Sequence, residues 1–360
     1  MKNKRKILLN PGPVTLTSRV RQSLLKEDLC HRENSFSFLL KSVKSKLLKV
    51  YDLDEDFDAV ILAGSGTAAV EAMLKSFVKD HDNSLVLSNG VYGERMALML
   101  QRDNKQFTEI SNDWTEDIDF DAFEKEIVKT KYDQVICVHN ETTTGRLNDL
   151  EKVLSICEAH SIPLLLDAVS SYGAEEIPFY SPALKAVAST ANKCIHGITG
   201  ACFVIAKNDT FSNSHNASTS LYFDLQNYWN NQKQGWCPFT PSIHSLYALE
   251  EALDELFEEG GYEYRNRRYN HLSSIIRETL RLVNIPTLLD EESYSSMISS
   301  FLIPQDYEYE ELYHYFADKN FIIYSGQGPL AKKIFRICNM GDITDSDLDN
   351  LKKAIINLFQ

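Results

Sequence analysis

The sequence predicts an α/β protein in which helices cover a mostly parallel sheet, joined to a smaller α+β unit. Two observations carry that reading. From about Val60, short apolar runs alternate with amphipathic segments, the rhythm of strand–helix–strand units. After Gly235 the rhythm changes to one long helical stretch, followed by a tail that mixes helices with isolated strand-like runs.

The elements follow in order. Residues 6–15 form an extended entry that closes on a Pro11-Gly12-Pro13 turn, a tightly fixed backbone. Strands are expected at 59–63, 84–88, 134–139, 163–167, 186–189 and 201–206, with helices at 67–77, 94–100 and 150–160 between them. Residues 242–258 read as a long helix, and 297–303 and 334–338 as strands of the second unit. The expected division is a large domain over 15–245 and a small one over 246–360, the latter joined by an N-terminal arm, 1–14.

Bulk properties narrow the function. The 360 residues are 43% hydrophobic and 24% charged, an ordinary globular balance. Fifty-one acidic against 37 basic side chains give a net charge of −14, which argues against nucleic acid or an anionic membrane as partner. Seven cysteines without a CxxC pair fit neither a disulfide framework nor a zinc knuckle, and no metal is expected. The basic N-terminus has only a three-residue apolar run, 7–9, too short for a signal peptide. A cytoplasmic protein is expected.

Six segments carry chemistry. Ala63-Gly64-Ser65-Gly66-Thr67 is a small-residue turn opening a helix, where free N–H groups and the helix dipole suit a phosphate. Tyr92, in Asn89-Gly90-Val91-Tyr92-Gly93-Glu94, sits at a second strand-to-helix turn and can stack on a planar ring. Glu141-Thr142-Thr143-Thr144-Gly145 is a donor-rich loop after an apolar strand. Asp167 ends the run Leu164-Leu165-Leu166, where a carboxylate needs a partner. Lys193 follows another apolar strand among small and polar neighbours, where desolvation favours the neutral amine needed for an imine. Arg336, inside Phe335-Arg336-Ile337, is a guanidinium in an apolar strand and calls for an anion.

Five of the six segments have a plain packing explanation when taken alone: a capped turn, a core aromatic, a capping aspartate, a surface lysine, a structural ion pair. Their order along one chain is what points to function. Glycine-rich turn, aromatic turn, threonine loop, strand-end Asp and strand-end Lys would line the carboxyl edge of one sheet, where ligands bind in open α/β folds.

With these motifs the chain resembles the class V, fold-type I aminotransferases that depend on pyridoxal 5'-phosphate. The likeness spans nearly the whole length, from Leu8-Leu9-Asn10-Pro11-Gly12-Pro13 to Asn339-Met340-Gly341. Its most specific matches are Glu141-Thr142-Thr143-Thr144-Gly145, Asp167-Ala168-Val169-Ser170-Ser171 and Ala191-Asn192-Lys193-Cys194-Ile195. The resemblance implies a seven-stranded, mostly parallel sheet in the large domain and a homodimer with shared active sites. It implies Lys193 as the Schiff-base lysine, Asp167 on the ring nitrogen, and Tyr92 stacked on the ring. Ser65, Gly66, Thr67 and Asn192 would hold the phosphate, helped by Thr240 from a second subunit, with Thr142 near the ring's O3′ side. Arg336 would grip the substrate anion, assisted by Asn10 and Gly12. Among the family's reactions, the branch most resembled exchanges 2-aminoethylphosphonate and pyruvate for phosphonoacetaldehyde and L-alanine.

The chain departs from that branch at Asn10, Ala68 and Thr199. Three alternatives therefore stay open. One is an aminotransferase for a related aminophosphonate, or for serine or alanine with glyoxylate. The others are a cysteine desulfurase-like lyase and a non-catalytic binding protein on the same scaffold.

Overall fold

A strand buried on both faces reads as an unbroken apolar run, and its successive side chains enter opposite layers. The apolar runs do so here in a computed structural model that describes residues 5–214 and 220–360. The central sheet has seven strands. These are β1 (Phe57–Leu62), β2 (Asn83–Ser88), β3 (Gln106–Ser111), β4 (Gln134–Val138), β5 (Leu164–Asp167), β6 (Leu184–Thr190) and β7 (Cys202–Lys207). Their spatial order is β1-β7-β6-β5-β4-β2-β3. β7 is antiparallel to both neighbours, and every other pairing is parallel.

Alternation along the strands builds two cores. Ile61, Leu85, Leu87, Val135, Leu164 and Leu166 face one layer, while Val60, Leu62, Val86, Ile136, Val138 and Leu165 face the other. Helices α1 (Gly66–Phe77), α2 (Val91–Arg102) and α3 (Leu150–Ala159) follow β1, β2 and β4. β3 was not anticipated. Its Gln-Phe-Thr-Glu-Ile-Ser is partly exposed at the sheet edge and has no apolar run; residue-by-residue pairing with β2 sets it.

Helix α4 (Ile243–Glu259) ends at Gly260 in a left-handed conformation (φ 108°). Its buried stripe Leu246, Leu249, Leu253 and Leu256 packs into the first layer of the large sheet. Helix α5 (Gly261–Leu282) then leads to a three-stranded antiparallel sheet of β8 (Ile298–Leu302), β9 (Tyr324–Ser325) and β10 (Ile334–Cys338), with β10 in the middle. This unit has its own core, including Leu272, Ile276, Phe301, Phe316, Phe335 and Ile355.

The N-terminal arm crosses to this second unit. Ile7–Leu8 pairs in parallel with Phe321–Ile322, and the Leu9 carbonyl accepts the Cys338 N–H at 2.8 Å. No helix among the described residues is long and apolar enough to cross a membrane. The seven cysteines are free thiols, all buried except Cys30.

Candidate active site

Because β1, β2, β4, β5 and β6 run the same way, their carboxyl ends share one edge. Each delivers one of the segments singled out above. Lys193 lies just beyond β6, its amine donating to the Pro11 carbonyl. Its methylenes fill the space beside Gly12. A Cβ there would stand 2.6 Å from Lys193 Cδ, and the backbone φ of +103° already favours glycine. Burial pushes the Lys193 amine below its usual range, with the Arg336 charge adding to the effect while Asp167 and the Cys338 and Cys194 thiols oppose it.

Asp167 ends β5 with its carboxyl buried. The Val169 N–H donates to Oδ1 at 2.9 Å. Burial nonetheless raises the group to about 6, with that N–H and the Arg95 and Lys193 charges pulling the other way. The loop behind it presses on the start of α1, where a Cβ on Gly66 would come 2.5 Å from Val169 Cγ1. Only glycine lets the helix terminus approach so closely. Ser65 stands at the N-cap of α1, exposed, and its hydroxyl makes no capping bond. Thr67, also exposed, accepts from Arg95 Nη1 at 3.3 Å.

Tyr92 lies in the first turn of α2, and Glu141 fixes that turn. The buried Glu141 carboxyl accepts the N–H groups of Tyr92 (3.1 Å), Gly93 (3.3 Å) and Thr143 (3.1 Å) and the Thr143 hydroxyl (2.6 Å). An anion at the positive end of a helix is favourably placed, although burial still raises its pKa. The same loop leaves the buried Thr142 hydroxyl without a hydrogen-bond partner.

Arg336 comes from the other unit. It is fully buried on β10 and donates from Nε and Nη2 to the Ser325 carbonyl (2.9 and 2.6 Å) and from Nη1 to the Thr142 carbonyl (2.6 Å). The Tyr324 ring lies 5.0 Å away. Three of its five N–H groups are thus spent on carbonyls, and no carboxylate among the described residues forms an ion pair with it.

Not every expected residue converges. Asn192 is buried, and its Oδ1 accepts from Thr190 Oγ1 at 2.9 Å. Asn10 is turned inward on its own loop, donating from Nδ2 to the Pro13 carbonyl at 2.9 Å. Thr240 is exposed, and no hydrogen bond among the described residues joins it to Ser65, Gly66 or Thr67 within one chain. Conversely, sequence reasoning gave no role to Arg95, Glu141 or the Pro11 carbonyl. Arg95 was detectable in principle, since a position three residues after Tyr92 shares its helix face.

Pyridoxal phosphate asks a site for an amine, a group for its ring nitrogen, and donors for its phosphate and ring oxygen. One sheet edge offers an amine of lowered basicity, a buried carboxyl, an uncapped helix terminus with two exposed hydroxyls, and the orphaned Thr142 hydroxyl. The donor set fits the group.

Comparison with known proteins gives the family. The family model for aminotransferase class V matches residues 22–340. A 2-aminoethylphosphonate–pyruvate transaminase of Phocaeicola vulgatus is 32% identical over 355 residues, covering 97% of this chain and 98% of that protein. One from Vibrio vulnificus is 33% identical over 97% of this chain and 96% of its own length. Among solved structures, the alanine–glyoxylate aminotransferase of Nostoc sp. superposes with a TM-score of 0.91 at 23% identity, covering 100% of this chain and 97% of the other, a likeness of fold. With a family model over most of its length and relatives above 30% identity over nearly all of it, the chain belongs to the class V aminotransferases.

Proposed function

We propose that the protein transfers the amino group of 2-aminoethylphosphonate to pyruvate, giving phosphonoacetaldehyde and L-alanine. The observation that carries this reading is Arg336, a buried guanidinium that forms no ion pair with a carboxylate among the described residues and whose charge is felt at Lys193. A transaminase receives its amino donor and its keto acceptor in the same pocket. One planar fork of N–H donors suits both a phosphonate and a carboxylate. The relatives above, named for this reaction, support the same substrates.

Each residue then has a task. Pyridoxal phosphate, when bound, supplies the electron sink that makes a substrate C–H bond acidic. Lys193 Nζ, whose pKa burial lowers, would be both the covalent anchor and the group that takes the proton from the substrate carbon. Asp167, a buried carboxyl at the end of β5, would hold the proton of the ring nitrogen. Tyr92, its turn fastened by Glu141, supplies an aromatic face. Ser65, Gly66 and Thr67 would hold the phosphate with Asn192, and Thr142 would offer its hydroxyl to the ring oxygen. Asn10 shapes the Gly12 turn that roofs Lys193 and lines the substrate side.

The protein acts as a homodimer in this reading, with Thr240 reaching a second copy's phosphate site; its exposure supports that placement. The two units form a large domain with the sheet and a small one with Arg336. Because α4 packs on the large core, we draw the boundary after Gly260 rather than at 245/246. The free, mostly buried thiols favour the cytoplasm.

The test is spectroscopic. Adding 2-aminoethylphosphonate alone should convert the visible absorption of the bound cofactor to its shorter-wavelength amine form, and pyruvate should restore it. A cofactor band that ignores this amine but responds to serine or alanine would shift the assignment to those substrates.

A further inference from the structure

We propose that Arg95 supplies the positive charge for the cofactor's phosphate, its guanidinium lying against Tyr92 and bridging Thr67 to that anion. This inference rests on the pyridoxal phosphate reading above. A phosphate monoester carries about −1.5 to −2 charges at neutral pH. Ser65, Gly66, Thr67, Asn192 and Thr240 are all uncharged, and the end of α1 adds only about half a positive charge. The group is short of a cation.

Arg95 is placed to provide it. It stands one turn after Tyr92 on α2, with its guanidinium 4.7 Å from the centre of that ring. Its Nη1 donates to Thr67 Oγ1 at 3.3 Å, linking α2 to the first turn of α1. The side chain is half-buried, and among the described residues no carboxylate forms an ion pair with it. Asp167 is the acid that feels its charge, yet no hydrogen bond joins the two, and the Asp167 carboxyl still rises to about 6. A direct arginine–carboxylate pair would hold it low. The other cations of the site are engaged: Lys193 with Pro11, Arg336 with Thr142 and Ser325. Among the described residues, the one hydrogen bond of the Arg95 guanidinium is that from Nη1 to Thr67, which leaves its other N–H groups beside that hydroxyl. Contact with an aromatic face limits its freedom before any anion arrives.

The competing explanation is that Arg95 merely covers Tyr92. The two differ in whether the phosphate matters. Full-length protein stripped of cofactor is titrated with pyridoxal phosphate and with pyridoxal, which lacks the phosphate, as wild type, Arg95→Gln and Arg95→Lys. Circular dichroism and melting of the cofactor-free proteins check the fold.

The expected result is pyridoxal phosphate affinity about 10- to 100-fold weaker in Arg95→Gln, the size of a charge-assisted contact, with pyridoxal affinity unchanged. Arg95→Lys should recover part of the loss. If Arg95→Gln does not fold, a phosphate-specific loss in Arg95→Lys carries the test. Equal weakening towards both compounds, or no weakening, overturns the assignment while leaving the cofactor reading intact. Wild-type protein that binds neither compound overturns both.

Discussion

Replacing Asp167 with asparagine should make the cofactor-free protein more stable and its grip on the cofactor weaker. The carboxyl ordinarily titrates at 3.8 and is raised to about 6 by burial. The folded state therefore binds this proton more tightly than the unfolded chain. Its contribution to stability is full below about pH 4 and is lost as the pH rises through about 6. At about 1.4 kcal/mol for each pH unit between those values, the ionised group costs the fold about 3 kcal/mol at neutral pH. Asparagine keeps the shape and the acceptor for the Val169 N–H but carries no charge. The variant should gain up to about 3 kcal/mol near neutral pH, with the two proteins converging as the pH falls towards 4. Denaturant unfolding of both cofactor-free proteins across that range measures the difference. A variant less stable at neutral pH, or a gap independent of pH, would refute the reasoning. Cofactor titration should show the opposite order, because an amide cannot hold a ring proton as a carboxylate does.

Other changes test the remaining parts. Lys193→Ala should abolish transamination, and borohydride reduction should fix cofactor mass to the wild type but not to the variant, read by mass spectrometry. Arg336→Lys keeps the charge but loses the fork; kcat/KM should fall on the order of 100-fold for both 2-aminoethylphosphonate and pyruvate in steady-state assays. A loss for only one of them would separate the two anion sites. Gly66→Ala drives a methyl into Val169 and should lower stability by about 1–3 kcal/mol in a denaturant series.

Much of the fold was legible because strands covered by helices on both sides carry unbroken apolar stretches. Six of the seven sheet strands announce themselves that way. β3 does not, because an edge strand with polar residues is defined by the neighbour it pairs with. The candidate site was legible wherever a side chain stands at a strand end, as Asp167 and Lys193 do. The partners that give those residues their character were not. Glu141 works through backbone N–H groups of a helix distant in sequence, Pro11 through a carbonyl, and Arg95 through contacts across two helices. Such pairings depend on how elements pack, which a local pattern does not encode. Arg336 lies between: its burial was readable from Phe335 and Ile337, but its carbonyl partners Thr142 and Ser325 were not.

The N-terminal arm has a consequence for how the protein is made. The turn at Pro11 and Gly12 is made well before the segments that anchor its arm, since Ile7 and Leu8 pair with Phe321 and Ile322 and the Leu9 carbonyl accepts from the Cys338 N–H. Translation at about 5–20 residues per second leaves an interval on the order of ten seconds between the emergence of Lys193 and that of its roof's anchors. Throughout it the arm that carries Gly12 past Lys193 lacks these strand partners. A chain that stops short of Phe321 would therefore carry Gly12 and Lys193 but lack the strand that pairs with the arm between them.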